Sequence, residues 1–317
     1  MVKYDVLWKK LATETKDFPR DLIGLFQYWY GNQRNQVRWA GVLSEAYGLE
    51  CGVRQGGLSS PALFNLYVNG LIGELGGSGV GCSLDNIPYN NISYADDMVL
   101  LSPSISGLRK LLSICEKYAA AHGLRYNVKK SEIVVFKSKN RDYNFPTVTL
   151  EGLPLKRVTS FKYLGHWLAE NMSDEADIER ERRALAMRAN MLARRFARCN
   201  TEVKQTLFRA YCQSFYTCSL WVEYTQKTLA ALRVQYNNGF RMLMGLPRFC
   251  SASAMFAEAR IDSFAVIMRK RVASVWRRIR DSSNSLLAAI ASRYCCPILR
   301  HWNSVHIGSR PALVNVK

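Results

Sequence analysis

Two adjacent aspartates, Asp96 and Asp97, are the residue pair in this sequence best suited to chemistry. They interrupt residues that suit buried strands, so the sequence predicts a hairpin that turns at residues 95–97 with both acids at its tip. Neighbouring carboxylates repel each other unless one takes a proton or both bind a cation. Hard divalent cations such as Mg²⁺ prefer carboxylate oxygen, so the pair is a candidate metal site. A solvated Asp-Asp turn is the alternative that the dipeptide alone leaves open.

A glycine-rich stretch from Cys51 to Pro61 is the second candidate, because three of its glycines fall within six residues. Backbone without Cβ atoms can approach a ligand closely. The stretch leads into a predicted helix that Ser59 or Ser60 can cap, with the proline in its first turn, and a helix N-terminus favours anions. Arg54 adds positive charge, and Gln55 adds an amide that donates and accepts hydrogen bonds. A turn that only reverses the chain is the other interpretation.

The elements that must position these residues are mixed in the first part of the chain. Apolar spacing predicts amphipathic helices at residues 1–11, 21–30, 61–71 and 104–122. Ser104 or Ser106 would cap the last of them, and Gly123 would end it. The predicted strands are two within residues 34–50, one that ends at residue 136, and a hairpin over residues 147–168 that turns near residues 151–152.

Beyond Ser173 the predicted elements are all helices. They cover residues 174–198, 202–224, 229–245 and 262–281. The first of these helices begins with acidic residues and ends with arginines, an order that complements the helix dipole. We therefore expect an α+β domain over residues 1–170 and a basic helical region over residues 171–317.

Composition narrows the classes of partner and compartment. The apolar fraction of 48% is ample for a buried core, and the net charge of +19 lies mostly after residue 165. This surplus favours nucleic acid or an anionic membrane as a partner, and a merely basic protein is the alternative. No apolar run is long enough for a membrane span, and the N-terminus has no secretory h-region. Nine irregularly spaced cysteines then predict reduced, mostly buried thiols and an intracellular protein, in the nucleus or cytoplasm and not secreted.

Four stretches, in this order, resemble a reverse transcriptase of the non-LTR (LINE-like) retrotransposon type. They are Gly52–Asn65, similar to the loop and helix that face the dNTP and template; Tyr94–Asp97, similar to the catalytic palm hairpin; Gly123–Asn127 with Lys130 and Ser131, similar to the palm lysine motif; and Phe161–Gly165, similar to the primer-grip hairpin. In the third stretch serine stands where threonine is usual. The resemblance covers residues 1–170 well, and the helical remainder resembles the thumb less distinctively.

This resemblance implies a right-hand polymerase palm, an antiparallel sheet with packed helices, followed by a helical thumb and connecting region. It implies RNA-directed DNA synthesis by two-metal nucleotidyl transfer, with Mg²⁺ as cofactor and Mn²⁺ as the alternative ion. Its partners would be an RNA template, a DNA primer and dNTPs, with no membrane and with the oligomeric state left open. The implied roles are catalysis by Asp96, Asp97 and Lys130, metal binding by Asp96 and Asp97, nucleotide binding by Arg54, Gln55 and Gly56, and primer binding by Tyr163, Leu164 and Gly165.

One departure from the family pattern affects the expected activity. The catalytic aspartate of the family's first palm motif would fall before Met1, so we expect an N-terminally truncated fragment with weak or no activity. A non-catalytic nucleic-acid-binding relic of a retrotransposon is the alternative, and an unrelated basic adaptor would require the motifs to be coincidental. The basic runs at residues 269–271 and 277–280 fit a nuclear-import signal or a solvated helix face.

Overall fold

A computed structural model describes residues 2–15, 18–137, 145–293 and 296–307. Helices and short antiparallel strands are mixed, so the α+β class expected from the sequence is confirmed. The chain divides into two compact units. The first holds the described residues up to Glu132 together with Phe145–Lys156, and the second holds those from Arg157 onward with the short stretch that begins at Ile133.

The first unit contains helices and two-stranded hairpins rather than one continuous sheet. Its helices are α1 (Tyr4–Glu14), α2 (Arg20–Gly31), α3 (Ser60–Gly76) and α4 (Ile105–His122). Its strands form the antiparallel pairs β1 (Arg34–Asn35) with β4 (Tyr47–Gly48), β2 (Arg38–Trp39) with β3 (Val42–Leu43), β5 (Ser83–Leu84) with β6 (Ile87–Pro88), β7 (Asn91–Tyr94) with β8 (Asp97–Leu100), and β10 (Thr149–Leu150) with β11 (Leu153–Pro154). Two further strands, β9 (Glu132–Ile133) and β12 (Lys156–Arg157), lie where the chain passes between the units.

The core of the first unit forms where α1, α3 and α4 meet around Tyr67. This tyrosine is fully buried, and its hydroxyl donates to the carbonyl of His122 at 2.5 Å. The Tyr118 hydroxyl in turn donates to the carbonyl of Tyr67 at 2.7 Å, and its ring stacks on His122 at 3.8 Å between centroids. Each of these two buried hydroxyls therefore has a hydrogen-bond partner.

Within the described residues, the second unit contains one hairpin and a helical array. Its hairpin pairs β13 (Ser160–Tyr163) with β14 (His166–Ala169). Its helices are α5 (Glu175–Arg195), α6 (Thr201–Cys212), α7 (Gln226–Met244), α8 (Ala252–Glu258), α9 (Phe264–Arg280), α10 (Ser285–Ala291) and α11 (Pro297–Ile307). The core lies chiefly among α5, α6, α7 and α9, where Leu185, Phe208, Tyr236 and Phe264 are all buried.

Several sequence predictions about the helices are confirmed. The side chain of Ser104 caps α4 by accepting from the amide of Gly107 at 3.1 Å, and Gly123 ends that helix with a φ of 63°. Helix α5 begins with acidic residues and ends with arginines, as predicted. The first predicted helix is observed from Tyr4, and its predicted start at Met1 lies outside the described residues.

Three sequence predictions about element ends are wrong. The strand predicted to end at residue 136 stops at Ile133. Residues 147–168 form two hairpins, because Leu153–Pro154 already returns to pair with Thr149–Leu150. The helix predicted to reach residue 224 stops at Cys212, since Phe215 and Thr217 adopt left-handed backbone with φ of 36° and 68°.

The compact units divide after Lys156, whereas the sequence analysis placed a domain boundary at residue 170. The reason is the hairpin of β13 and β14, which belongs with the helices that follow it. The amide of Trp167 in β14 donates to Asp177 of α5 at 3.2 Å. A contact of this kind between a strand and the next helix joins the two elements in one unit.

The cysteines within the described ranges are all free thiols, as predicted. Only Cys115, Cys212 and Cys218 are buried, so the prediction that most are buried is wrong for this part of the chain. Burial raises the pKa of Cys115 to about 11 and that of both Cys212 and Cys218 to about 12, which keeps these thiols protonated at neutral pH. Cys295 lies outside the described residues. Among the helices that the structure describes, none combines the length and apolar character needed to cross a bilayer.

Candidate active site

The Asp96–Asp97 hairpin has the geometry predicted from the sequence. Strands β7 and β8 pair so that Tyr94 opposes Asp97, which leaves Ala95 and Asp96 as the turn. Ala95 adopts left-handed backbone with a φ of 52°, a conformation that costs a non-glycine residue roughly 1–2 kcal/mol. Both carboxylates are solvent-exposed at the tip. Strain of this kind is found at functional sites, where the surrounding structure maintains it.

The strands that carry the two acids are less buried than the sequence suggested. Ile92 and Tyr94 are 47% and 65% exposed, so the prediction that they face a buried surface is wrong. Because a two-stranded hairpin has two faces, only the one that carries Met98 and Leu100 packs on the apolar cluster of α3 and α4. Asp97 lies on the opposite, open face, since side chains alternate along a strand.

Asn90 fixes the base of this hairpin, and the sequence analysis missed it. Its side chain is 1% exposed, and its amide nitrogen donates to the carbonyls of Leu75 at 2.6 Å and Val80 at 2.8 Å. Its backbone carbonyl accepts from the amide of Leu101 at 2.8 Å. A Cβ at Gly81 would collide with Asn90, so a glycine with a φ of 101° is needed beside it. An asparagine directly before a strand was the only sequence signal of this role.

The candidate nucleotide-binding residues form a tight turn. The amide of Gly57 donates to the carbonyl of Arg54 at 3.0 Å, and Gly56 has a φ of 80°, the conformation that a type II turn requires at its third residue. Arg54, Gln55 and Gly56 are all solvent-exposed. Position 57 also requires glycine, because a Cβ there would lie 2.6 Å from Oγ of Ser60.

The predicted serine cap of the following helix is not formed. Ser59 occupies the N-cap position with helical backbone and makes no side-chain cap hydrogen bond. The buried Oγ of Ser60 has no hydrogen-bond partner among the described residues. Capping needs extended backbone at the N-cap, and the turn that ends at Gly57 leads into helical backbone instead. The proline that follows does lie in the first turn, as predicted.

Lys130 lies on a short 3₁₀ turn, Val128–Lys130. Its amide donates to Oδ1 of Asn127 at 3.3 Å, and the hydroxyl of Ser131 donates to the carbonyl of Asn127 at 3.0 Å. The turn is therefore closed by the asparagine and serine of the predicted lysine motif. The Lys130 side chain is exposed.

The candidate primer-binding residues lie on the hairpin of the second unit. Leu164 and Gly165 form its turn, with φ of 46° and 86°. The Tyr216 hydroxyl donates to the carbonyl of Leu164 at 2.7 Å, and a Cβ at Gly165 would lie 2.8 Å from the Tyr216 ring. Tyr163 is half-buried at the end of β13. A residue 52 positions away from Leu164 thus shapes this turn, which the sequence analysis did not foresee.

Asp177 of α5 holds the same hairpin through hydrogen bonds to β14. This fully buried carboxylate accepts from Nδ1 of His166 at 3.0 Å, from the amide of Trp167 at 3.2 Å and from the indole of Trp221 at 2.7 Å. Arg180 also donates to it at 2.7 Å. Burial alone would raise the pKa of Asp177, but these hydrogen bonds outweigh burial and hold the pKa well below its usual range. The carboxylate is therefore ionised and fully hydrogen-bonded.

The predicted site residues are divided between the two compact units. Asp96, Asp97, Arg54 to Gly56 and Lys130 belong to the first unit, whereas Tyr163, Leu164 and Gly165 belong to the second. In the part of the chain that the structure describes, no group of three or more His, Cys, Asp or Glu side chains could hold a metal ion. The aspartate pair still fits Mg²⁺, because that ion is commonly held by one or two carboxylates with water and substrate phosphates.

Comparisons with known proteins agree with the resemblance of the motifs. Residues 4–168 match the family model described as reverse transcriptase (RNA-dependent DNA polymerase). A retrovirus-related Pol polyprotein from a type-2 retrotransposable element of Drosophila melanogaster is 30% identical over 154 residues, which are 46% of this chain and 14% of that protein. An RNA-directed DNA polymerase from the mobile element jockey of Drosophila funebris is 22% identical over 284 residues, which are 85% of this chain and 30% of that protein.

The chain thus spans less than a third of the length of these two relatives. The matched region covers more than half of the chain and includes the glycine-rich turn, the aspartate hairpin and the lysine motif. It also includes the hairpin of β13 and β14 up to residue 168, although that hairpin belongs to a different compact unit. The chain therefore belongs to the reverse transcriptase family, and within it to the type encoded by non-LTR retrotransposons.

Proposed function

We propose that this chain carries the catalytic hairpin of an RNA-directed DNA polymerase and that Asp96 and Asp97 bind its Mg²⁺ ions. The observation that supports this most directly is the hairpin itself. Two neighbouring carboxylates are exposed at a strained tip, and a buried asparagine fixes the base of that hairpin. Tight two-residue hairpin turns commonly place their first residue in left-handed backbone, so the support for a site comes from the exposed carboxylate pair and the buried anchor at Asn90 rather than from Ala95.

The residues of the first unit would share the work of binding and orienting substrates. When bound, the metal ions would lower the pKa of the primer hydroxyl and neutralise charge on the leaving pyrophosphate. The exposed turn at Arg54, Gln55 and Gly56 would border the incoming dNTP, where glycine lets the backbone approach closely. The exposed Lys130 would contact its phosphates as a point charge.

The hairpin tip at Tyr163, Leu164 and Gly165 would position the primer backbone, and the helices beyond it would act as the thumb. In this assignment residues 1–170 form the palm with part of the fingers, and residues 171–317 form the thumb and connecting region. The net charge of +19 supports a template–primer duplex of RNA and DNA as the partner, because basic side chains bind it through phosphates. Binding should therefore weaken as salt concentration rises.

We expect a low catalytic rate from this chain alone. Among the described residues no third carboxylate lies close enough to join Asp96 and Asp97 in a metal site. Loss of one oxyanion donor costs roughly 10²–10³ in rate, and a missing metal ligand should cost at least as much. If the rate is too low to detect, the chain would act only as a nucleic-acid-binding protein without catalysis.

Primer extension on an RNA template with Mg²⁺ tests the proposal, with the parent chain compared with Asp96→Ala. Asp21→Ala is the control, because Asp21 is an exposed acid in the first turn of α2 in the same unit. We expect slow extension by the parent and the control, and none by Asp96→Ala. Equal extension by parent and Asp96→Ala would show that the hairpin is not catalytic. If all three proteins bind the template–primer tightly and none extends it, the chain binds nucleic acid but does not catalyse synthesis.

A further inference from the structure

Helix α2 carries apolar residues on two opposite faces. Ile23 and Tyr30 lie on one face and are buried in the apolar cluster to which α1 contributes. Leu25, Tyr28 and Trp29 lie on the other face, where each is more than half exposed. A surface helix normally has one apolar stripe, and a second one that is left in solvent marks an interaction surface.

The hairpin of residues 34–48, which follows α2, presents a projecting tryptophan beside its turn. Ala40 and Gly41 form this turn, with φ of 48° and 85°. Trp39 is 81% exposed and pairs with Val42, which is also exposed, so the two side chains share one face. Asn35 lies on the same face as Trp39, because side chains at alternate positions of a strand point the same way.

The hairpin that carries Trp39 is internally braced at Ser44. The amide of Ser44 donates to the carbonyl of Val37 at 2.9 Å, and the amide of Val37 donates to Oγ of Ser44 at 2.9 Å. Nε2 of Gln36 donates to the carbonyl of Ser44 at 3.1 Å. The indole of Trp39 therefore projects from a preorganised support, and less conformational entropy is lost when it docks.

A groove of about 390 Å³ lies between the exposed face of α2 and the start of the hairpin. Leu25, Tyr28 and Trp29 supply its apolar wall, and Arg34 and Arg54 supply guanidinium groups. Three carboxamide side chains complete its lining. Such a groove suits an indole, because aromatic rings pack against one another, a guanidinium stacks on an indole face and a carboxamide oxygen accepts from its N–H group.

The segment that bears the projecting tryptophan and most of the groove has no net charge. Its charged residues are three arginines and three acids within residues 19–50, whereas the whole chain carries +19: Arg20, Arg34, Arg38, Asp21, Glu45 and Glu50. Electrostatic affinity for a polyanion needs a surplus of basic groups, which this segment lacks. Two copies of a basic protein can meet at a neutral segment without the repulsion that the rest of their surface would cause.

We propose that two copies of this chain form a two-fold symmetric dimer in which Trp39 of each copy docks in the α2 groove of the other. A two-fold interface uses the same patch twice, so a projecting side chain and a groove on one patch satisfy each other reciprocally. An aromatic side chain buries about 150–250 Å². The exposed rings of Tyr28, Trp29, Trp39 and Tyr47, with their aliphatic neighbours, can therefore approach the roughly 800 Å² per partner of a standard interface.

Analytical ultracentrifugation of nuclease-treated protein over a range of protein concentrations tests the dimer. We expect the parent to dimerise at high salt as well as at low salt, because screening weakens contacts between charges and not apolar contacts. Trp39→Ala should raise the dimer Kd roughly 10²–10³-fold, since one substitution removes two aromatic anchors from a symmetric interface. The matched control is Phe249→Ala, because Phe249 is 91% exposed and belongs to the second unit. It should leave the Kd unchanged.

A mixing experiment separates reciprocal docking from loss of fold. Leu25→Arg should block the groove and leave Trp39 in place, so neither Leu25→Arg nor Trp39→Ala should dimerise alone. An equimolar mixture of the two should form heterodimers, because one Trp39 and one open groove remain, and this recovery requires both variants to be folded.

Four outcomes would overturn the proposed dimer. They are a parent that is monomeric at every concentration, a parent dimer that Trp39→Ala leaves intact, a mixture of the two variants that stays monomeric, and association that nuclease or high salt abolishes. The last outcome would mean that nucleic acid bridges the copies. Because the readout is oligomeric state, the result is independent of whether the aspartate hairpin is catalytic.

Discussion

The hydroxyl of Tyr216 donates a hydrogen bond to the carbonyl oxygen of Leu164 across 2.7 Å, and so ties the loop after α6 to the hairpin proposed to hold the primer. Leu164 and the two residues that flank Tyr216 lie in left-handed backbone. Leu164 has a φ of 46°, and Tyr216 stands between Phe215 and Thr217, with φ of 36° and 68°. Strained conformations at two contacting segments persist only where the surrounding contacts over-determine them.

Removal of this hydroxyl should loosen the hairpin. We expect Tyr216→Phe to lower the free energy of unfolding by about 0.5–1.5 kcal/mol, because the ring stays but one hydrogen bond is lost. Urea denaturation measures the change. Tyr211→Phe is the control, since Tyr211 is a 47% exposed tyrosine of α6 in the same unit. Template–primer affinity should also fall in Tyr216→Phe. Equal affinity in Tyr216→Phe and Tyr211→Phe would show that the hairpin turn at Leu164 does not contribute to primer binding.

Gly165 should resist substitution more than a left-handed backbone alone explains. We expect Gly165→Ala to cost more than the roughly 1–2 kcal/mol of a left-handed alanine, because its Cβ would lie 2.8 Å from the Tyr216 ring. Gly245→Ala is the matched control, with a φ of 68° but nothing within 4 Å of its Cβ. Equal losses of unfolding free energy in the two variants would contradict the close approach.

Asp177 should be the most sensitive ionisable residue of the second unit. Asp177→Asn removes the partner of Arg180 and places an amide N–H₂ group where the carboxylate accepted from His166 and Trp221. Breaking a buried charge pair costs about 3–5 kcal/mol, and we expect a loss of that order in urea denaturation. Glu179→Gln is the control on the same helix, because partly exposed ion pairs contribute about 0–1 kcal/mol.

The same carboxylate predicts a loss of stability in acid. Because its folded pKa is depressed, its contribution is fully present above the unfolded value of about 3.9 and is lost as pH falls toward the folded pKa. Burial raises the pKa of neighbouring Asp174, which acts in the opposite direction and offsets part of the effect. Unfolding free energies measured from about pH 6 to about pH 2 should fall more steeply for the parent than for Asp177→Asn. Parallel curves would refute this account.

Sequence reasoning located the candidate site because its signals are local. The turn at Arg54–Gly57 needs glycine at fixed positions, and the aspartate hairpin is defined by four consecutive residues with strand-forming neighbours. The cap of α4 at Ser104 likewise depends on residues three positions apart. Each of these features follows from backbone chemistry within one turn of chain, which a single sequence displays directly.

The positioning residues could not be found in the same way. Tyr216 acts on a residue 52 positions earlier, and Trp221 donates to a carboxylate 44 positions earlier. Apolar spacing continues past Cys212, so periodicity extends the helix through a loop that tertiary contacts hold in left-handed backbone. Long-range partners of this kind leave no local pattern in one sequence.

Asn90 offers the sharpest test of how the aspartate hairpin is held. Its amide donates to the carbonyls of Leu75 and Val80, so Asn90→Ala should cost about 1–3 kcal/mol by leaving both carbonyls buried without that donor. Asn90→Asp should cost more, because a buried carboxylate would face two carbonyl oxygens and could donate to neither unless protonated. The milder control is Asn91→Ala, since Asn91 is half-buried and donates to Oδ1 of Asn90 at 3.0 Å. In urea denaturation the loss should be largest for Asn90→Asp, smaller for Asn90→Ala and smallest for Asn91→Ala, and primer extension should fall in the same order. A loss in Asn90→Asp no greater than in Asn90→Ala would show that the two carbonyls do not depend on this amide.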